Sequence, residues 1–269
     1  MQVIGLCRFS YPAIGGFQVE HDTPEARAAF LYAPERLEER FRFFEAFTLP
    51  CLRAQTDGEF TFIVLIGDDL PGIHRSRLRE MVGDMPQVKV LTRPPGRHRD
   101  VMKEVINSVR APGEHPCLQF RLDDDDAVGV TFVARLRQIA AEVAGLMKFH
   151  RHIAIDFPKG FVACPGPSGI AAAEIHQPFW TPGLAMMLRA DVNLSIMNFA
   201  HQRLGRKMPS LSFPEETMRL RGHNDFNDSR QAQGAKSFDL KALDPEGEEL
   251  FRSVYNIDAD RVRQIFRQT

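Results

Sequence analysis

Two rhythms of apolar and polar positions alternate along the first half of the chain. MQVIGLCRF opens with a short apolar run that predicts a strand, and a Gly/Pro-rich loop, SYPAIGGFQVEHDTP, follows it. Over 34–48 the rhythm becomes helical. Leu37, Phe41, Phe44 and Thr48 fall on one stripe, Pro34 suits the first turn, and Pro50 predicts an end or a kink. FTFIVLIGDD, 60–69, is a continuous apolar run of the kind that a parallel sheet covers on both faces. A helix is expected over 74–83, a strand at VKVLTRPP (88–95), a helix over 97–110 and a strand in CLQFRL (117–122). A helix from 130 to 147 ends the series, with Phe132, Leu136, Ile139, Val143 and Met147 spaced to bury one face. Alternation of this kind implies an open α/β sheet with right-handed crossovers.

After residue 148 the pattern changes. RHIAIDFPKGFVACPG predicts a hairpin or a pair of strands, and GIAAAEIHQPFWTPGLAMML predicts strand pieces broken by prolines. A helix is expected over 192–204, a polar, turn-rich stretch in LSFPEETMRLRGHNDFNDSR, and a final helix in DADRVRQIFRQ. No internal repeat, low-complexity segment or linker interrupts the chain. It therefore reads as one domain over 1–269: a sheet-forming half (1–128), a more irregular half (129–235) and a tail (236–269).

Composition narrows the class. The chain is 43% hydrophobic and 26% charged, as soluble globular proteins are. A formal net charge of -1 gives no electrostatic case for nucleic acid or an anionic membrane. No apolar run approaches the roughly 20 residues of a membrane span, so at most a peripheral membrane contact is expected. The N-terminus has no basic leader before an apolar core, which points to a cytoplasmic protein. Cys7, Cys51, Cys117 and Cys164 lie far apart, without a CxxC, and read as reduced thiols.

The chemistry begins at FRLDDDDAVG, 120–129. In an extended chain Asp123 and Asp125 share one face, and Asp124 and Asp126 the other. Like charges roughly 7 Å apart repel by about 2 kcal/mol at an effective dielectric near 20. An acidic cluster at the end of a buried strand needs a counter-charge, and a divalent cation is the expected one. In an open α/β sheet, ligands bind outside the carboxyl ends of the strands. Three strands end in notable residues: Arg8, Phe9 and Ser10; Gly67, Asp68 and Asp69; and the aspartate run.

Such a run has three candidate uses. An EF-hand read from Asp124 fails, because Val128 and Arg135 stand where oxygen ligands are needed. A haloacid-dehalogenase-type phosphohydrolase would use Asp124 as nucleophile, Asp126 as acid/base and Mg²⁺ as bridge. That motif normally ends the first strand, whereas three strand–helix units precede it here. A GT-A-type glycosyltransferase would use a DxD motif on about the fourth strand to hold Mn²⁺ or Mg²⁺ against the donor diphosphate.

GLCRFSYPAIGGFQ, RLDDDDAV and MRLRGHNDFNDS resemble a bacterial family of rhamnosyltransferases over most of residues 2–230. The resemblance implies a GT-A-like fold, a Rossmann-like nucleotide-binding open sheet fused to an irregular acceptor-binding half. It implies transfer of a sugar from a nucleotide-diphosphate donor to a glycan or small-molecule acceptor. Under it Arg8, Phe9 and Ser10 would line the base and ribose, and Asp68 or Asp69 would contact them. Arg97, Arg99, Asp123 and Asp124 would also face the donor. Asp123 and Asp125, or in the other frame Asp124 and Asp126, would be the DxD pair; an LDxDD reading favours Asp123, Asp125 and Asp126 as cation ligands, with His223 as a further ligand and Asn224, Asp225 and Asp228 beside it. His201 falls where a general base is expected, with Asp191 and Glu174 as acidic alternatives. Trp180 could stack on a sugar face or pack in the core. A nucleotide-sugar-binding protein without catalysis is the remaining alternative.

Overall fold

The computed structural model describes residues 1–16, 21–223 and 238–267. Its first half follows the expected alternation. β1 (Gln2–Arg8), β2 (Thr61–Gly67), β3 (Val88–Arg93) and β4 (Cys117–Arg121) are separated by α2 (Pro34–Phe43), α3 (Leu49–Arg53), α4 (Gly72–Met81) and α5 (His98–Val109). An unexpected short helix, α1 (Pro24–Leu31), precedes them; the Thr23 hydroxyl accepts from Ala26 N at 3.1 Å, and Pro24 occupies its first turn.

Pro50 does not end the second helix. The chain stays helical from α2 into α3, but 44–48 widens into a π-turn in which Leu49 N donates to Phe44 O. A proline inside a helix has no N–H, and its ring crowds the carbonyl four residues back. One wider turn relieves that crowding. The stripe Leu37, Phe41, Phe44 and Thr48 is fully buried, as its spacing predicts.

Seven strands form one sheet in the order β10-β6-β9-β4-β1-β2-β3, with β6 at His152–Asp156, β9 at Leu184–Leu188 and β10 at Ser210–Ser212. β9 runs antiparallel to both neighbours, and every other pairing is parallel. A second sheet, β12-β8-β7-β11-β5, contains β5 (Ala127–Val128), β7 (Lys159–Gly166), β8 (Gly169–His176), β11 (Thr217–Gly222) and β12 (Lys241–Ala242). α6 (Phe132–Glu142) packs on β4 through Phe132 and Phe120, whose ring centroids are 5.3 Å apart. α7 (Pro245–Tyr255) and α8 (Ala259–Arg267) bury Phe251, Tyr255, Val262 and Ile265 in the same core as β5, β7 and β11.

The mixed α/β architecture with open sheets is the one expected. Of the two alternatives for RHIAIDFPKGFVACPG the structure has the pair of strands: Phe157-Pro158 separates them, β6 joins the first sheet, and β7 turns into the second to pair with β8. One local expectation changes. The helix over 192–204 is replaced by 3-10 turns at 196–198 and 201–206.

Candidate active site

Sheet register assembles the site. Leu6 pairs with Arg121, so two residues further on Arg8 stands beside Asp123, and its Nη2 lies 3.4 Å from Asp123 Oδ1. β11 runs antiparallel to β5 with Leu220 opposite Ala127, which carries Arg221 and Gly222 onto the aspartate turn. Gly222 N donates to Asp126 Oδ1 at 3.1 Å, and Thr48 Oγ1 donates to Asp126 O at 2.8 Å. A Cβ at Gly222 would overlap the Asp125 carbonyl oxygen, so only glycine allows this approach.

The four aspartates have four different fates. Asp124 and Asp125 are buried and share one cation, Arg40 of α2, itself almost buried. Arg40 Nη1 donates to Asp125 Oδ2 at 3.1 Å, and its Nη2 touches Asp124 Oδ1. Burial works against the charge on Arg40, but Asp125 and Asp123 overcome it and hold the guanidinium protonated. Asp126 is buried, and that burial and the neighbouring Asp125 push its carboxyl well above the usual range. Asp123 alone opens to solvent, with its side chain 43% exposed. Lost solvation in the cleft opposes its ionisation, but Arg8, Arg121, Arg221 and Arg40 win and hold its carboxyl below the usual range.

Among the described residues, three of the four aspartates of the run are engaged by protein groups. Arg40 occupies Asp124 and Asp125, while Asp126 tends to keep its proton and accepts from a backbone amide. Among the described residues no three His, Cys, Asp or Glu side chains converge as a metal site. His223 N donates to Ala163 O at 2.8 Å, and its ring stands edge-on to Phe238 at 5.8 Å. Asn224, Asp225 and Asp228 lie outside the described residues. The hydrolase reading fails on the same geometry, since a buried Asp124 against Arg40 cannot reach a phosphorus atom.

On the open side, the guanidinium groups of Arg8, Arg121 and Arg221 all act on the open carboxylate of Asp123. Arg121 Nε is buried with no hydrogen-bond partner among the described residues. Burial, and after it the effect of Arg8, lowers the Arg121 pKa to about 10, so it stays charged at neutral pH. Buried, unpaired donors of this kind mark a place where an anion would be satisfied.

Two histidines face the same cleft. His98 opens α5 and stands 3.2 Å from Arg8 Nη1 through Nε2. Burial, then Arg8 and Arg121, push it down to about 3, so it is neutral and accepts from Arg8. Its sequence neighbours Arg97 and Arg99 are exposed at the start of that helix; Arg97 forms a β-bridge with Ile14, and Arg99 O accepts from Asn198. His201 Nδ1 lies 2.6 Å from Phe179 O. Burial, then Arg121 and Arg221, push it down to about 4 against the opposing pull of Phe179 O and Asp123. Neutral His201 therefore donates from Nδ1 and keeps a lone pair on Nε2.

Other expected residues lie elsewhere or face away. Phe9 is fully buried between Phe41 and Phe44, at 4.8 and 5.4 Å, with no face left for a nucleotide base. Ser10, nearly buried at φ 48°, accepts from Arg36 Nη1 at 3.0 Å. Asp68 and Asp69 are exposed at the tip of β2, and Asp69 Oδ1 accepts from the Tyr32 hydroxyl at 2.6 Å. Asp191 is a correction. β9 runs antiparallel, with Leu188 opposite Cys117 at the start of β4, so Asp191 emerges at the opposite edge of the sheet. There it pairs with Arg189 at 2.9 Å. Glu174 faces Lys159 across the β7–β8 pair at 3.7 Å. Trp180 is not in the core: Arg221 Cζ sits over its ring at 4.4 Å. Arg36, Arg40, His98, Arg121 and Arg221 were not assigned roles from sequence. The signal for Arg36 and Arg40 was present, because both lie one residue ahead of the Leu37–Phe41 stripe on a buried helix.

A family model described as "Putative rhamnosyl transferase" matches residues 2–236, and the chain belongs to that family. It is similar to the solved S. aureus TarS 1-349 in complex with UDP-GlcNAc, at 11% identity and TM-score 0.47, covering 99% of this chain and 70% of that one. A longer S. aureus TarS structure is 10% identical at TM-score 0.46, covering 83% of this chain and 37% of that one. The chain spans 60% of another TarS 1-349 structure. A "putative nucleotide-diphospho-sugar transferase" from Desulfovibrio desulfuricans G20 is 10% identical at TM-score 0.43, covering 100% of this chain and 98% of that one. No curated protein matches the chain. Among the described residues no helix is long and apolar enough to cross a membrane.

Proposed function

We propose that this member of the rhamnosyl transferase family moves a sugar, rhamnose being the one its family name suggests, from a nucleotide diphosphate to an acceptor hydroxyl. One observation carries the reading: Arg8, Arg121 and Arg221 gather around Asp123 at the carboxyl edge of the sheet, with the buried Nε of Arg121 lacking a partner among the described residues. The diphosphate of a nucleotide sugar is an anion that such a group of arginines would receive. Arg8, Arg121 and Arg221 would hold those oxygens and stabilise the charge that builds on the departing nucleoside diphosphate. In this reading the donor's charge is met by arginine and not by a cation on the aspartate run. Asp124, Asp125 and Asp126 instead form a buried plug, with Arg40, that fixes the tip of β4.

His201 serves as the base. Its Nε2 takes the proton of the acceptor hydroxyl. The hydroxyl oxygen bonds to the anomeric carbon, and the bond from that carbon to the phosphate oxygen breaks. The electron pair leaves with the nucleoside diphosphate. A base on the acceptor side fits an inverting displacement. His98, neutral and accepting from Arg8, holds that arginine toward the cleft.

The test is donor breakdown with water as the acceptor. The protein is incubated with UDP-, dTDP- and GDP-linked sugars, dTDP-rhamnose among them, and free nucleoside diphosphate is measured. Release from one base class, abolished in Arg121→Met, is the expected result. No release and no rise in melting temperature with any of these donors would overturn the proposal.

A further inference from the structure

Beside the charged cleft lies a cavity of about 530 Å³, within the roughly 300–1,000 Å³ of small-molecule sites. Its lining includes the aromatic Phe179, Trp180 and Phe238 and the polar His176, Gln177 and Gln202. Among the described residues no Asp, Glu, Lys or Arg lines it. The Trp180 and Phe238 rings stand 6.3 Å apart at 31°. One contact and one chain neighbour join this space to the charged cleft. Arg221, which acts on Asp123, lies over the Trp180 ring. Gln202 follows His201 directly in the chain.

Phe179 ties the cavity to the proposed base. It sits at φ 53°, a conformation that a bulky side chain rarely adopts. Fully buried Asp156 accepts from its amide at 2.9 Å and holds it there. Strain of this kind collects at functional sites. Its consequence is visible: the Phe179 ring lines the cavity while its carbonyl fixes the tautomer of His201.

We propose that this cavity is the acceptor subsite and takes a pyranose ring of a neutral glycan. A pyranose has an apolar C–H face and a hydroxyl edge. Aromatic walls match the first, and side-chain amides, which both donate and accept, match the second. The lack of charge among the described lining residues favours a neutral sugar over a phosphorylated or acidic one. The ring lies against Trp180 with one hydroxyl toward His201. The acceptor role rests on the transferase reading; sugar binding in the cavity does not.

Trp180 is the only tryptophan in the chain, so intrinsic fluorescence reports on this cavity. The probes are methyl glycosides of rhamnose, glucose, galactose and mannose and short neutral oligosaccharides, titrated without nucleotide. At least one is expected to saturate a change in emission, with affinity weakened about threefold or more in Gln202→Ala and in Phe238→Ala. No emission change with any probe, or equal affinity in both variants, overturns the subsite. Nucleoside diphosphates are added separately, with melting temperature as readout. Nucleotide binding without glycoside binding removes the subsite and leaves the donor site. Glycoside binding without nucleotide binding keeps the sugar cavity and removes the transferase reading.

Discussion

Replacing Arg40 with methionine removes the only cation that contacts Asp124 and Asp125 in an ion pair among the described residues. The side chains of Arg40, Asp124 and Asp125 are 8%, 2% and 5% exposed, so water cannot take over the lost role. Breaking a buried pair by deleting one partner costs about 3–5 kcal/mol. At about 2–4 °C per kcal/mol for a chain of this size class, the melting temperature falls by roughly 6–20 °C. The assay is thermal and urea unfolding of the wild type, Arg40→Met, and Arg40→Met with Asp124→Asn and Asp125→Asn. The triple variant recovers most of the loss, because no uncompensated charge is left. Mn²⁺ stabilises Arg40→Met far more than the wild type, because the freed carboxylates gain a new counter-charge. A single variant that melts within about 2 °C of the wild type would refute the argument. Equal stabilisation of both proteins by Mn²⁺ would refute it too, since the wild-type aspartates would then already be open to a cation.

Three further outcomes follow from the same geometry. His201→Ala lowers turnover by about 10²- to 10⁴-fold and leaves nucleoside diphosphate affinity unchanged, as steady-state kinetics beside calorimetry will show. His98 and His201 titrate near 3 and 4 in the fold against 6.5 unfolded; below 6.5 the unfolded chain binds more protons. Their contribution to stability is complete above that value and is lost as pH falls toward 4 and then 3, so melts across pH 7 to 4 show a decline that shrinks in a His98→Phe/His201→Phe double variant. Asp191→Ala leaves donor breakdown and melting temperature unchanged, because the residue sits at the far edge of the sheet in a solvent-exposed ion pair; a large loss of activity would contradict the placement.

The layout of β1 to β4 was legible because continuous apolar runs and helical stripes have distinct periods. Phe41 and Phe44 show how far that reaches: their spacing gave both the helix and its buried face. The path through Pro50 was not legible, because a π-turn has no residue signature of its own. At β6 and β7 the strands were legible but not the choice between hairpin and separate strands, because which sheet a strand joins is set by tertiary pairing, not by local pattern. Thr23 and Pro24 did signal α1 and were read as loop. In the site, the need for a counter-charge at the aspartate run was legible, but its identity was not. A cation and an arginine answer the same electrostatic demand, and Arg40 comes from a helix some eighty residues earlier. His201, the proposed base, was singled out through the resemblance. His98 was not, because nothing in RPPGRHRD distinguishes a histidine turned inward from the exposed arginines on either side of it. Asp191 was misplaced because a strand reads the same in either direction, and its antiparallel course decides which edge it reaches.

The most direct measurement is calorimetric titration of UDP, dTDP and GDP into the protein, with EDTA and with Mn²⁺, for the wild type and Arg121→Met. The account predicts that one nucleoside diphosphate binds in EDTA about as well as in Mn²⁺, and that Arg121→Met weakens it by about tenfold or more, close to 1.4 kcal/mol. Binding that appears only with Mn²⁺, or that survives the loss of Arg121 unchanged, would contradict it.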